Sequence, residues 1–377
     1  MSMFIVNSKR PLHLQLAERI KTLIAQGYAP GDTLPTYRDL VKRFNVGLVS
    51  VKRAMDVLAA QGIVSPIRSK GTIVRRRLEP GETHLSQVAL VVRSSIRRLF
   101  EAPWLNEIVG SLCGELDRRK SNVRIFSVHT PGEGITAAEV VETGADGVVL
   151  LAIVDESILA DFAAQDVPLV ALDHHCPTVA IDYLVCDNAG AAKAVVDHLA
   201  GLGHRRIAYA EYFAPRSLKT GTVAVESDAE ERRNGVARAA QEAGMELRRP
   251  FYTRRVHEGY SGSAFVQDLA KVVGRGPDAP TALVGDDEAA AAECIARLRE
   301  MGFRVPEDIS VAAVAAAGGD RAGAGITCAS MDFAGMGRQA MDVLELRSRT
   351  PRPAEANVAR IGFRLIVGGT TAAPPRR

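Results

Sequence analysis

The sequence predicts an α/β protein in two parts: a small helical head closed by a hairpin, and a larger body in which strands and helices alternate. Three observations carry this. The chain has 377 residues, more than one ordinary core holds and enough for two or three domains. Its charge is unevenly spread: the residues up to Arg77 hold fourteen Lys and Arg against Glu18, Asp32, Asp39 and Asp56, a net +10, while the rest carries −7 and the whole chain +3. From Gln87 onward the apolar pattern also changes, from helical spacing to short buried runs separated by helical segments.

In the head, Leu12, Leu16, Ile20, Leu23 and Ile24 recur at helical spacing, with Pro11 at the first turn, where a missing N–H costs nothing. Gly27 and the Pro30-Gly31 pair stop this helix. Thr36 with Asp39 three residues on makes a short capping box for a second helix. A third helix is expected from Leu48 to Gln61, burying Val51, Ala54, Met55 and Leu58. Ile63 to Ile67 and Thr72 to Val74 then read as two short strands joined through Arg68-Ser69-Lys70-Gly71. A basic module of this kind on an acidic body is the pattern of a nucleic-acid binder with a separate regulatory part.

The head resembles the winged helix-turn-helix of the GntR family. The resemblance rests on Pro11-Leu12 with Gln15, on Pro30-Gly31, Leu34-Pro35 and Arg38-Asp39-Leu40, on Val51-Lys52-Arg53-Ala54 with Leu58, and on Gly71-Thr72-Ile73-Val74. It implies that the third helix enters the major groove of double-stranded DNA and that the wing touches the backbone or the minor groove. Carried over position by position, the DNA-facing residues are Arg38, Leu48, Val49, Ser50 and Lys52, with Arg68 and Lys70 in the wing. The sequence departs from the family at Gly47-Leu48, where a Ser-Arg pair is usual. Leu48 has nothing to offer guanine and can touch only a thymine methyl, so the family's operator preference does not transfer.

Arg75-Arg76-Arg77 and the polar run to Ser86 read as a connector. The expected division is a DNA-binding domain at 8–76, a linker at 77–86 and a two-lobed body at 87–373. Strands are expected at Val88–Val92, Val123–Val128, Gly147–Leu151, Pro168–Leu172, Arg206–Tyr209, Ala282–Val284 and Ile309–Val314. Such alternation builds parallel sheets flanked by helices, with ligands at the carboxyl ends of the strands.

The body resembles the effector-binding domain of the LacI family, itself similar to periplasmic sugar-binding proteins. The matching pieces are Ala145-Asp146-Gly147-Val148-Val149, Val167-Pro168-Leu169-Val170 with Asp173, Val185-Cys186-Asp187-Asn188, Gly203-His204-Arg205-Arg206-Ile207, Arg232 with Gly235, and Val305-Pro306-Glu307-Asp308-Ile309-Ser310-Val311. The resemblance implies a carbohydrate-sized effector in the interlobe cleft, a homodimer on a pseudo-palindromic operator, and induction by release of DNA. It places Arg232 on the ligand, with Ser94, Ser95, Trp104, Asp173 and Asp286 as further contacts. The acidic residue expected after Ile309-Ser310-Val311 is missing, because Ala312 to Ala317 fill that stretch. Either the ligand differs from a typical neutral sugar, or Asp286 or Asp320 replaces it, or the pocket is degenerate on a ligand-independent repressor.

Other functions find little support. Asp173-His174-His175 has no partner cluster at metal-ligand spacing, and the glycine-rich Gly318 to Gly325 lacks the Lys-Ser/Thr of a phosphate loop. The five cysteines are scattered without a paired motif, which fits a reducing cytoplasm and argues against a disulfide framework or a zinc site. No apolar run spans a membrane and the first residues have no signal-peptide core. No enzyme, cofactor or metal is expected. A fused aminotransferase would need a Schiff-base lysine motif, which the body lacks.

Overall fold

The computed structural model describes residues 11–68, 70–76, 85–93, 99, 101–128, 135–211, 227–252, 269–274, 276–318 and 325–376. The head holds α1 (Leu12–Gly27), α2 (Tyr37–Phe44), α3 (Leu48–Ala60), β1 (Val64–Ile67) and β2 (Gly71–Val74). Thr36 and Asp39 form the capping box expected at the start of α2. Asn45 closes α2 in the left-handed region, at φ 51°, a conformation Asn tolerates better than most residues. The sharp turn into α3 follows. α1 contributes Leu16, Ile20 and Ile24 to a core with Leu40, Val51, Ala54, Met55 and Leu58, all essentially excluded from solvent. β1 and β2 pair antiparallel, Val64 with Val74 and Ile67 with Gly71. Residues 31–34 lie along β2 through Gly31 N–H to Val74 O, Leu34 N–H to Thr72 O and Val74 N–H to Asp32 O. The wing is thereby tied to the loop that precedes α2.

The body contains β3 (Gln87–Val92), α4 (Pro103–Arg118), β4 (Asn122–Ser127), α5 (Ala137–Glu142), β5 (Gly147–Leu151), α6 (Glu156–Ala163), β6 (Leu169–Leu172), β7 (Asp182–Cys186), α7 (Asn188–Gly201), β8 (Arg206–Glu211), α8 (Ser227–Glu242) and β9 (Glu246–Tyr252). After these come β10 (Ala282–Gly285), α9 (Glu288–Glu300), β11 (Ser310–Ala316), β12 (Thr327–Met331), α10 (Phe333–Arg347), β13 (Asn357–Ile361) and β14 (Phe363–Ile366). Each lobe is built on one six-stranded sheet, ordered β13-β7-β6-β5-β3-β4 in the first and β14-β12-β11-β10-β8-β9 in the second. Every pairing within them is parallel except β14 on β12. All seven expected strands form. The sequence reading missed β7, β9, β12, β13 and β14. β13 lines one edge with four exposed or half-buried residues in five, and β9 begins Glu-Leu-Arg-Arg-Pro, so neither has a buried-strand signature.

The chain crosses between lobes three times, after β7, after β12 and between β13 and β14. Two of the crossings use the same device. Asp187 caps α7 by accepting from Gly190 N–H at 3.0 Å, and Asp332 caps α10 by accepting from Gly335 N–H at 2.7 Å. A Cβ at either glycine would fall 2.3 Å or less from the capping carboxylate, so glycine is needed for the cap to close. Asp187 and Asp332 also donate their backbone N–H groups to the Ile361 and Gly362 carbonyls of the third crossing. The hinge is therefore one hydrogen-bonded knot. In the first lobe α10 lies so tightly on α4 that a Cβ at Gly337 would sit 2.4 Å from the Ile108 carbonyl oxygen.

The head is seated on the first lobe. Apolar contacts run without a break from the α1–α3 core into the buried face of β3, β5 and β6. Gln61 Nε2, at the end of α3, donates to the Gly144 carbonyl at 3.1 Å across this joint, and Val57 packs against the Gly144 backbone. Lys21 Nζ of α1 is 3.8 Å from Asp146 Oδ2. Asp146 accepts the N–H groups of Ser86 at 2.8 Å and Gln87 at 3.0 Å, where the connector becomes β3. Residues 77–84 of the expected linker lie outside the described residues.

Burial pushes the Asp146 carboxyl up from the ordinary 3.8 to about 6, with Lys21 and the two backbone donors opposing the shift. A carboxyl whose folded value is raised supports the folded state fully below its unfolded value and loses that support as pH climbs through the folded one. By pH 7 the difference amounts to about 3 kcal/mol. Asp146→Asn, with no proton to release, is expected to flatten the stability-against-pH curve between about pH 4 and 6. Urea unfolding at a series of pH values checks this; a variant curve parallel to that of the unaltered chain would contradict the buried placement.

Candidate functional site: the interlobe cleft and the helix-three edge

Arg232 reaches the cleft because α8 lies close on α7. A Cβ at Gly235 would stand 2.9 Å from the Ala192 Cβ and 3.2 Å from the Ala189 Cα, so glycine permits the approach that positions the arginine one turn earlier. The Arg232 side chain is 13% exposed and its guanidinium lies 2.9 Å from Asp228 Oδ2 and 4.0 Å from Asp286 Oδ2. It also donates to Asn188 Oδ1 at 3.4 Å, at the first crossing. Its buried Nε has no hydrogen-bond partner among the described residues. Burial works against this charge, but Asp228, Asp286, Tyr209 and Asp287 outweigh it and hold the guanidinium protonated beyond its ordinary range.

Asp286 follows β10 and is almost fully buried, its N–H bound to the Ala210 carbonyl of the neighbouring strand. Asp287 caps α9, accepting from Ala290 N–H at 2.7 Å. Burial raises the Asp287 carboxyl above its ordinary value, with that hydrogen bond and Arg232 opposing. Ala315 is buried on β11, the neighbour of β10, and brings no polar atom. The cleft carboxylates around Arg232 thus come from β10 and α8.

The first lobe presents Asp173 and His174 just after β6. Asp173 holds a left-handed backbone at φ 67° and sits close enough to Cys186 to help burial push that thiol well up. Burial pulls His174 below its ordinary 6.5, Asp228 opposing from the second lobe and His175 and Arg93 assisting. Among the described residues, two polar side-chain contacts tie the lobes directly. Arg360 of β13 meets Glu231 of α8 at 3.3 Å through both its terminal nitrogens, and Glu107 of α4 accepts from Gly318 N–H at 2.9 Å.

Of the sequence-predicted ligand residues, Arg232 and Asp286 come together, and Asp173 stands on the facing lobe. Trp104 is half-buried against Phe333, ring centroids 6.0 Å apart, beside the second crossing. Ser94, Ser95 and Asp320 lie outside the described residues. Sequence reasoning missed Asp228 and Glu231 as cleft residues and Arg360 as the partner of Glu231. The spacing of Asp228 to Arg232, one helical turn, was the available signal. No group of three or more metal-ligating side chains occurs among the described residues, and no helix among them is long and apolar enough to cross a membrane.

On the head, Arg38, Lys52, Arg68 and Lys70 are exposed and Ser50 is half-buried. Leu48 and Val49 open α3 behind the N-cap Gly47, which makes no side-chain cap. The docked face of α3 is its C-terminal half, with Val57 and Gln61 on the lobe, so the N-terminal turn remains open to solvent.

Residues 12–74 match the family model of bacterial regulatory proteins of the gntR family, and residues 196–371 that of the periplasmic binding protein-like domain. The mannosyl-D-glycerate transport/metabolism system repressor MngR of Escherichia coli is 42% identical over 67 residues, which is 18% of this chain and 28% of that protein. The chain therefore spans well under a third of this relative's length. Among solved structures, the lac repressor dimer bound to operator and the anti-inducer ONPF aligns over 77% of this chain and 96% of its own, with TM-score 0.57 and 20% identity. The complex of the transcriptional regulator CelR with cellobiose aligns over 89% of this chain and all of its own, with TM-score 0.56 and 22% identity. At those identities the likeness is one of fold. The chain joins a gntR-family helix-turn-helix domain to a periplasmic-binding-protein-like domain.

Proposed function

We propose that the chain is a DNA-binding transcriptional repressor whose operator affinity is set by a small polar ligand, a sugar or sugar derivative, held between the lobes. It is not an enzyme in this reading. The observation that carries the ligand side is Arg232: a buried guanidinium whose Nε has no partner among the described residues, beside carboxylates at strand and helix ends, in the crevice where such folds take ligands. A buried donor left without a partner costs about 1–3 kcal/mol, which a ligand hydroxyl or carboxylate would recover. That MngR is a repressor and CelR binds cellobiose supports the reading by similarity alone.

The chain acts as a homodimer in this account, two helix-three edges about 34 Å apart matching a pseudo-palindromic site. Its route of control is the seated head. With the head held to the first lobe by Gln61–Gly144 and Lys21–Asp146, closing or opening the cleft turns the head with that lobe. The ligand releases DNA by favouring one lobe arrangement, a coupling of about 1–3 kcal/mol in typical cases.

A second reading has an observation of its own. Arg232 already pairs with Asp228, and Glu231 with Arg360 already bridges the lobes, as expected of a ligand-independent repressor. Titration calorimetry with a panel of mono- and disaccharides separates the two. A saturable signal lost in Arg232→Ala supports the sensor; no heat from any of them leaves the ligand-independent repressor.

On the DNA side, affinity is expected to fall steeply with salt through counterion release. Lys52→Ala and Arg38→Ala should each weaken binding and lower the log–log salt slope by about 1 if they contact phosphates. Unchanged operator affinity in both variants would contradict this placement of α3.

A further inference from the structure

Only four large apolar side chains are exposed among the described residues, and two of them, Leu48 at 55% and Val49 at 67%, are adjacent on the first turn of α3. Their helix has no need of them for its own packing, since Val51, Ala54, Met55 and Leu58 supply the buried face. Their setting is polar and cationic: Ser50 on the same turn, Lys52 one residue beyond Val51, and Arg38 on α2. The N-cap Gly47 adds no side chain. An apolar pair at the tip of the second helix of a helix-turn-helix, rimmed by cations, fits a surface that is anionic outside and carries an apolar group inside.

We infer that Leu48 and Val49 are the residues that set this chain's base preference, by packing against thymine C5-methyl groups in the major groove. The inference rests on the reading of the head as a DNA-binding module. The physical reason is that the thymine methyl is the only apolar group a base pair shows in that groove. Guanine N7 and O6 or the cytosine amino group, placed under Leu48, would lose water and gain no hydrogen bond, so the pair discriminates against G·C as well as for A·T. Lys52 and Arg38 then hold the backbone and fix the register without reading sequence.

The experiment is selection from a random duplex pool with the full-length chain, followed by replacement of each enriched thymine with uracil, which removes only the methyl. Anisotropy titrations read the affinities. The expected result is one or two thymines per half-site whose replacement weakens binding about fourfold each, the scale of one buried methyl-sized group. Leu48→Ala should bind thymine and uracil duplexes alike at the affected position, while Leu48→Met keeps the discrimination. Uracil tolerated at every position, with tight binding otherwise, would overturn the inference and leave the DNA-binding reading intact. Enrichment of no duplex would overturn both. Self-association that Leu48→Ala abolishes and duplex does not compete would put a second copy on this edge and overturn it as well.

Discussion

Asp146 is the point on which the arrangement of this chain turns. It lies at the entry to β5, takes the two backbone N–H groups with which the connector becomes β3, and faces Lys21 of α1. A carboxylate with so little water is unfavourable unless its oxygens are occupied, and here two backbone N–H groups of the body bind them while the Lys21 ammonium of the head stands 3.8 Å away. The same residue therefore starts the first lobe's sheet and receives the head. Gln61 and Val57 complete the seat at Gly144, whose positive φ of 93° is a backbone conformation that side-chain-bearing residues rarely adopt.

The seat gives the two candidate sites a common mechanical frame. The edge at Leu48 and Val49 is one end of a helix whose other end is fixed to the first lobe. The cleft around Arg232 is bounded by that lobe and by the second, joined through a knot of two capping aspartates and the β13–β14 crossing. In the proposed account, motion about the knot would change the distance between Arg360 and Glu231 and the orientation of the head together, giving binding at one site a physical path to the other.

Much of this was legible from the residues. The head could be read almost to the residue, because its capping box, helical apolar spacing and positive-φ glycines are local signals. Arg232 was legible through the LacI-family resemblance, in its place three residues before Gly235, and the structure accounts for that glycine by the closeness of α7 and α8. What escaped were pairings made by the fold alone. Edge strand β13 carries a mixed pattern because one side of it faces solvent, and Glu231 and Arg360 stand 129 positions apart. Lys21 reads as a surface lysine of an amphipathic helix, and nothing local to it announces Asp146.

The central claim is that head and first lobe form one unit through the Lys21–Asp146 contact. A double-mutant cycle of Lys21→Ala and Asp146→Ala, followed by urea unfolding of the full chain, tests it most directly. The account predicts that each substitution destabilises the chain and that the pair costs less than the two together, by about 1 kcal/mol or more, as expected when removing one partner strands the other in a buried setting. Strictly additive losses would contradict it, and would mean that the head is not held where Asp146 can feel it.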